Sequence, residues 1–238
     1  MQCKLLSLVC ILATLTSCAG PNPDDPYESY NRTVFDINMT ADKILIRPVA
    51  ETYQSYVPQV IRTGISNALI NFKMLPSAIL YLLQGKISEA SISTQRFLIN
   101  STLGILGFFD AASNFEITPV NTQSFDQTLQ AWGYTPSDFV VLPLLGASTV
   151  RGVIALPVDS LYLNPVSYLD YLHQYAPYFA NATQVVSKRA QVLQQDSIIT
   201  NSIDPYATYR SIYNQVTHSE QHQRDKDAAA ELFMDDHD

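Results

Sequence analysis

Charge is scarce in this 238-residue chain: Asp, Glu, Lys and Arg make up only 15 % of it, against roughly 25 % in typical soluble domains. Cysteine is scarcer still. Cys3, Cys10 and Cys18 are the only three, so the chain after Cys18 has no thiol to form a disulfide or a cysteine metal site. Basic residues are few, 14 against 22 acidic for a formal charge of −8. That excludes the basic stripe that neutralises nucleic-acid phosphates, and with it electrostatic adhesion to anionic lipid. Catalytic signatures are missing as well. There is no P-loop, no G-x-G-x-x-G and no EF-hand loop. Gly64-Ile65-Ser66-Asn67-Ala68 comes near a hydrolase elbow, but its surroundings read as continuous helix and not as strand and turn. His218 and His222 have helical metal-ligand spacing without a third ligand. Asp24, Asp25 and Glu28 read as N-terminal helix charge and not as an acid/base pair. No catalytic residue, metal or cofactor is expected.

What is present begins at the N-terminus. Lys4 stands before an apolar region from Leu5 to Leu15, too short to span a bilayer, which reads as a removable address. It ends in Leu15-Thr16-Ser17-Cys18, a lipobox whose cysteine is lipidated and becomes the mature N-terminus. Residues 1–17 are thus expected to be a lipoprotein signal peptide, and 18–28 a lipidated linker. Residues 29–215 read as one helical domain and 216–238 as a polar acidic tail. Several acyl chains anchor stably where one is marginal, each buried CH₂ contributing roughly 0.8 kcal/mol. Ala19, and not Asp, after the cysteine fits sorting to the outer membrane of a diderm bacterium.

Hydrophobic residues are 47 % of the chain, and tyrosines number 14. A surface so poor in charge is either buried or faces something other than water. Tyrosine, apolar in body and polar at its tip, suits the lipid headgroup zone. A core generous in aromatics is the plainer explanation, and the lipid anchor favours a membrane-embedded body.

Helical spacing dominates the rest. Tyr30, Val34, Ile37, Ala41 and Ile44 form an amphipathic stripe, with a stop expected near Arg47 before Pro48. Pro58 opens a second helix with Val60, Ile61, Ile65, Ala68 and Leu69 on one face. Pro76 opens a third, Ser77 to Leu83, closed by Gly85. Ile87, Ala90, Thr94, Phe97 and Leu98 mark another helix, and Tyr175, Phe179, Ala182, Val186, Arg189 and Leu193 a late one. Asp204-Pro205 caps a helix through Tyr213. Phe139 to Leu142 is the best strand candidate, but no alternating partner lies nearby. Two segments are unusually apolar, Ile99 to Ala112 and Phe139 to Leu156. Pattern alone favours core elements for both, and they also suit helices or a hairpin lying in one leaflet.

A run of motifs then carries a resemblance. Asp25-Pro26-Tyr27-Glu28-Ser29-Tyr30-Asn31-Arg32-Thr33-Val34-Phe35-Asp36-Ile37-Asn38 is followed by Arg47-Pro48-Val49-Ala50, Tyr56-Val57-Pro58-Gln59 and Leu83-Gln84-Gly85-Lys86. Arg96-Phe97-Leu98-Ile99-Asn100 leads to Gly107-Phe108-Phe109-Asp110. Trp132-Gly133, Leu142-Pro143-Leu144-Leu145-Gly146, Ser148-Thr149-Val150-Arg151 and Ser202-Ile203-Asp204-Pro205-Tyr206 complete the order. Together they resemble the MlaA (VacJ) family of outer-membrane lipoproteins. Ala147, Gly152 and Gln130 depart from it, standing where proline, an acid and glycine are usual.

The resemblance implies an all-α, multi-helix, ring-like body embedded in one membrane leaflet, with a helical hairpin near a central amphipathic channel. It implies removal of mislocalised phospholipid from the outer leaflet and its transfer to a soluble periplasmic lipid carrier, which maintains outer-membrane lipid asymmetry. A trimeric porin is the implied membrane partner, and the periplasmic-leaflet side the location. The hairpin candidate is Thr135 to Arg151. Within it Pro143 and Gly146 permit a bent backbone, and Leu142, Leu144 and Leu145 offer apolar contacts to a lipid path or to the ring itself. Arg151 meets either a phosphate or a carboxylate. Asn31, Arg32, Phe35 and Asn38 on the first helix either brace the body or border the channel. The rival readings are a structural porin-associated lipoprotein with no lipid path of its own, and an anchored lipid hydrolase.

Overall fold

A computed structural model describes residues 22–134, 137–161, 163 and 175–219. The lipobox cysteine Cys18, His222 and the acidic end lie outside the described residues. Two compact units divide the chain, one ending at Leu193 and the other beginning at Gln194.

In the first unit, α1 spans Glu28–Ala41, with Glu28 supplying acidic charge to the first turn. Its buried residues are Asn31, Val34 and Phe35. The stripe is therefore turned from the expected one, and Ile37 and Ile44 are exposed. Nor does the helical path stop near Arg47. It passes through a π-helical turn, Asp42–Ile46, into α2, Arg47–Tyr56, with Pro48 in the first turn. Pro48 withholds one backbone donor from this continuous path, and the π turn stands immediately before it.

Helix α3 runs unbroken over the 25 residues Gln59–Leu83, with Pro58 as its N-cap. The separate helix expected at Pro76 does not exist, because Pro76 lies inside α3. Proline deprives the Phe72 carbonyl of its helical donor, but the neighbouring turn is held from the side. Ser77 Oγ donates to the Lys73 carbonyl at 2.7 Å and accepts from the Gln123 N–H at 2.8 Å. Tertiary contacts carry the helix past a local breaker. Gly85 then closes it at φ +78°, with the Lys86 N–H returning to the Tyr81 carbonyl and the Gly85 N–H to that of Leu82. This is the Schellman pattern, which wants a residue with no Cβ at that place.

Helix α4, Ile87–Thr102, runs back beside α3, and Ser93 Oγ donates to the Met74 carbonyl at 2.7 Å. Its buried residues are Ala90, Ser93, Arg96 and Asn100. The interior face is thus polar, and the expected apolar stripe is rotated from it, with Ile87 and Leu98 exposed. After a short 3-10 turn, Ala112–Phe115, a capping box at Ser124 and Gln127 opens α5, Phe125–Ala131.

Strand β1, Phe139–Leu142, and strand β2, Gly146–Thr149, pair antiparallel in the register Phe139 with Thr149 and Leu142 with Gly146. The hairpin is therefore a β-hairpin and not a helical one, although the all-α class holds for the body. The partner strand that seemed absent lies immediately across the turn. Gly-Ala-Ser-Thr hides it, because it has no apolar alternation. Strand β2 runs directly into α6, Val150–Leu161. Val140, Leu142 and Val153 form a small apolar core, with Tyr27 and Tyr30 packed against it. Helix α7, Ala176–Val192, closes the unit. Arg189 on it pairs with Asp42 of the π turn at 2.8 Å.

The second unit holds α8, Asp196–Thr200, and a helix α9 over 205–219. The cap expected at Asp204-Pro205 forms, the Ala207 N–H donating to Asp204 Oδ1 at 3.0 Å.

Candidate functional site

The hairpin is held by two asparagines two helical turns apart on α1. Asn31, fully buried, donates through Nδ2 to Asp25 Oδ1 at 2.9 Å and to the Phe139 carbonyl at 3.2 Å. Its Oδ1 accepts the Val141 N–H at 2.8 Å. One side chain thereby satisfies the outer edge of β1, where unpaired backbone groups would otherwise be buried at a cost. Seven residues on, Asn38 repeats the arrangement, donating to the Leu142 carbonyl at 2.9 Å and accepting the Leu144 N–H at 2.7 Å. The rise of two helical turns matches the advance along the strand closely enough for both amides to reach one edge.

At the tip, Leu144 has φ +62°. A branched, non-glycine residue in the left-handed region costs about 1–3 kcal/mol and persists only when its surroundings over-determine it. Pro143, with its fixed φ, sits one place earlier in the tight turn, and Asn38 grips both sides. The strained conformation leaves Leu144 and Leu145 70 % and 65 % exposed, while Leu142 is only 5 % exposed. The three leucines therefore do not form one surface: Leu142 belongs to the core, and the other two form the tip.

Phe35 on the same helix is buried, and Arg32 pairs with Glu28 at 2.8 Å. At the far end of the hairpin, Arg151 is fully engaged. Its Nε donates to Asp126 Oδ1 at 2.7 Å, its Nη2 to Asp126 Oδ2 at 3.2 Å, and its Nη1 to the Tyr134 carbonyl at 2.8 Å. Its backbone N–H meets Ser137 Oγ at 2.8 Å. A bidentate pair of this kind fixes the start of α6 against α5 and leaves no free guanidinium face for a phosphate. Nearby, burial pushes the Asp159 carboxyl above its usual range despite the Phe125 N–H it accepts.

A second polar node stands between α4 and the following loop. Buried Arg96 donates through Nη2 to both Asp110 oxygens, at 2.8 and 2.9 Å, and through Nη1 to the Ile117 carbonyl at 2.6 Å. Burial alone would raise the Asp110 carboxyl. Hydrogen bonds from Ser113 and Asn100, together with the Arg96 charge, outweigh it and hold the group below the ordinary range. The sequence pattern gives no site role to Asp126, Asp25, Arg96 or Asp110. The available signal is the i, i+4 pair Arg96 and Asn100 on the same face as Ser93.

Outward, the pattern inverts. Ile61, Phe72, Leu75, Ile79 and Leu82 are exposed along α3, the last four at steps of three and four. Helix α3 is long and apolar enough to cross a membrane by length and composition, with a third of its most apolar window buried. The turn after α4 exposes Leu103, Ile105, Leu106 and Phe109, so this part of the segment expected as core is surface. Ile105 and Leu106 sit at φ +53° and +56°. They are held there by bonds such as the Gly107 N–H to the Asn100 carbonyl at 2.7 Å. Ser66 lies mid-helix in α3, with no strand before it, and accepts from Gln191 at 3.3 Å. Among the described residues no three His, Cys, Asp or Glu side chains converge as a metal site.

Fold and site define a class: a helical body, polar at its helix contacts and apolar over much of its described surface, gripping a β-hairpin through buried amides. The chain belongs to the MlaA lipoprotein family, whose pattern matches residues 23–220. It is 32 % identical to the intermembrane phospholipid transport system lipoprotein MlaA of Shigella flexneri, over 90 % of this chain and 87 % of that one. The protein of the same name from Escherichia coli (strain K12) is 31 % identical with the same coverage. An uncharacterized protein of Rickettsia bellii is 34 % identical over 80 % of this chain and 74 % of its own. A solved structure described as "Structural basis for maintenance of bacterial outer membrane lipid asymmetry" contains a chain similar at a TM-score of 0.69 and 33 % identity. The similarity covers 80 % of this chain and 96 % of that one.

Proposed function

We propose that this protein is an outer-membrane lipoprotein, anchored through Cys18 on the periplasmic-leaflet side. In this reading it removes phospholipid misplaced in the outer leaflet and passes it to a soluble periplasmic carrier, maintaining lipid asymmetry beside a trimeric porin. The observation that carries the reading is the exposure of large apolar side chains around an interior that mixes apolar and polar groups. Amides and ion pairs lie between the helices while leucine, isoleucine and phenylalanine face outward. Contiguous exposed apolar faces of this kind are rare on proteins surrounded by water, and polar and small residues at helix contacts suit a body surrounded by acyl chains. Membership of a family whose members in Shigella flexneri and Escherichia coli are named for intermembrane phospholipid transport supports the same reading.

Mechanistically the protein acts as a conduit and not as an enzyme. A headgroup needs a polar path and its chains need apolar surface, and a body sunk in one leaflet offers both at its edge. Lipid moves down the free-energy gradient set by its misplacement and by the carrier's affinity, with no nucleotide consumed at this step. The hairpin tip, held in a strained shape by Asn38, presents Leu144 and Leu145 beside that path.

The test is the amount of outer-leaflet phospholipid in cells lacking the protein. A rise that a restored wild-type copy reverses is expected. No change, with the restored protein expressed and membrane-bound, would favour a structural brace for a porin. An anchored hydrolase is disposed of by full activity in a Ser66→Ala variant.

A further inference from the structure

The arginines between the helices are all paired with carboxylates. Arg96 holds Asp110, Arg151 holds Asp126 and Arg189 holds Asp42. Two lysines of the same unit are not engaged in this way. Lys73 on α3 is partly buried and Lys188 on α7 is exposed. Among the described residues, neither makes a hydrogen bond or an ion pair.

Packing brings the two together. Gln191, one turn beyond Lys188, donates to Ser66 Oγ of α3 at 3.3 Å, which sets α3 and α7 side by side. Ser77, one turn beyond Lys73, accepts the Gln123 N–H at 2.8 Å. Two residues further on, the Phe125 N–H donates to Asp159 Oδ1 of α6 at 2.8 Å. Lys73 therefore stands where α3, α6 and α7 approach, and the charges of Lys188 and Asp159 both act on it.

The balance there is positive. Asp159 attracts the Lys73 ammonium, but it does not outweigh burial and the like charge of Lys188. Asp126, the acid that acts on Asp159, is held by Arg151. Two ammonium groups thus face one carboxylate, which closes to ion-pair distance with neither. A partly buried charge is costly unless it is paired, and an anion seated between the lysines would turn their repulsion into attraction. Leu69 and Leu156, one turn back from Lys73 and Asp159, are partly buried as well, so apolar surface adjoins the charge. Lysine binds phosphate as a point charge on a flexible stem.

We propose that Lys73 and Lys188 form a phosphate subsite between α3 and α7 that seats the phosphodiester of a phospholipid on its way through the protein. The subsite rests on the phospholipid reading above and names the residues that hold the lipid's charge.

Calorimetry on the full chain in nonionic detergent micelles tests it, with dihexanoyl phosphatidylglycerol, dihexanoylglycerol and inorganic phosphate as probes. Lys73→Met and Lys188→Met should each weaken binding of the phospholipid about tenfold, the change expected from one hydrogen bond to a charged group. Binding of dihexanoylglycerol, which has no phosphate, should not change in either. Lys188 is exposed, so its variant remains informative if Lys73→Met misfolds. Lys43→Met, at an exposed lysine of the π turn, should leave phospholipid affinity as in wild type. An equal loss in Lys43→Met would reduce the effect to net charge and overturn the subsite. Undiminished phospholipid affinity in Lys73→Met and Lys188→Met overturns it too, while leaving phospholipid passage standing. Inorganic phosphate binding as tightly as the lipid overturns the lipid assignment in favour of a free anion. Binding of no lipid by wild type overturns the subsite together with the reading beneath it.

Discussion

Asn31 and Asn38 perform the same task at different depths, and the difference sets their energetic weight. Asn31 is fully buried and serves Asp25, Phe139 and Val141 together. Asn31→Ala strands several groups away from water, so a loss of about 3 kcal/mol is expected. Asn38→Ala frees groups near the exposed tip that water can reach, and about 1 kcal/mol is expected. Urea unfolding of both variants checks the ratio, and equal losses would remove the case for Asn31 as the principal clamp. Asp110 makes a pH-dependent contribution. Its carboxyl is held below the ordinary range, so its stabilisation is present above the unfolded value near about 3.9. That stabilisation is lost as pH falls through the lower folded value. Wild type should therefore lose stability more steeply than Asp110→Asn as the buffer is taken below about pH 4. Parallel curves would mean the Arg96–Asp110 bond carries no proton linkage.

At the scale of elements, α3 presents two unlike faces. Asn71, Ser77 and Tyr81 face inward, and Phe72, Leu75 and Ile79 face out. Exposed positions contribute little to stability in water, usually within about 0.5 kcal/mol each. Replacing Phe72, Leu75 and Ile79 by Ser should leave the helical circular-dichroism signal near that of wild type. The same replacement should sharply reduce flotation of the unlipidated protein with phosphatidylcholine vesicles, because hydroxyls there would no longer favour burial among acyl chains. Unchanged flotation would place the membrane-facing surface elsewhere. The helix also shows how packing overrules local preference. Pro76 has the signature of a helix start, and only the bonds of Ser77 to Lys73 and Gln123 reveal why the helix continues through it.

For the whole molecule, the decisive experiment concerns the hairpin tip. Substituting all three leucines would confound gating with unfolding, because Leu142 packs with Val140 and Val153. Leu144→Ser with Leu145→Ser alters only the exposed pair. If the tip borders the lipid path, outer-leaflet phospholipid should rise toward the level of the deletion strain while the variant stays folded and membrane-bound. A wild-type level would limit the tip to a structural part.

Helical class, the proline-capped start of α3, the glycine stop at Gly85 and the Asp204 cap are legible in the sequence, because each depends on a few neighbouring residues and on backbone chemistry. The ordered motifs likewise point to the family. Polar function is harder to read. Apolar periodicity sets the expected stripes of α1 and α4, whereas these helices bury Asn31, Ser93, Arg96 and Asn100. Apolar spacing does not by itself say which face of a helix is buried, and here Ile37, Ile44, Ile87 and Leu98 of the expected stripes are exposed. The partner of β1 escapes notice because Gly-Ala-Ser-Thr carries no alternation and pairs only through the turn beside it. The sequence by itself determined the helical class, the start at Pro58, the stop at Gly85, the Asp204 cap and how little charge the chain carries, since these are local or additive properties. Tertiary structure alone decided that Asn31 and Asn38 grip one strand edge more than a hundred residues away, that Arg151 finds Asp126, and that Leu142 is buried while Leu144 is not. Those outcomes depend on distant groups meeting at hydrogen-bonding distance, and no periodicity along the chain encodes a distance between its parts.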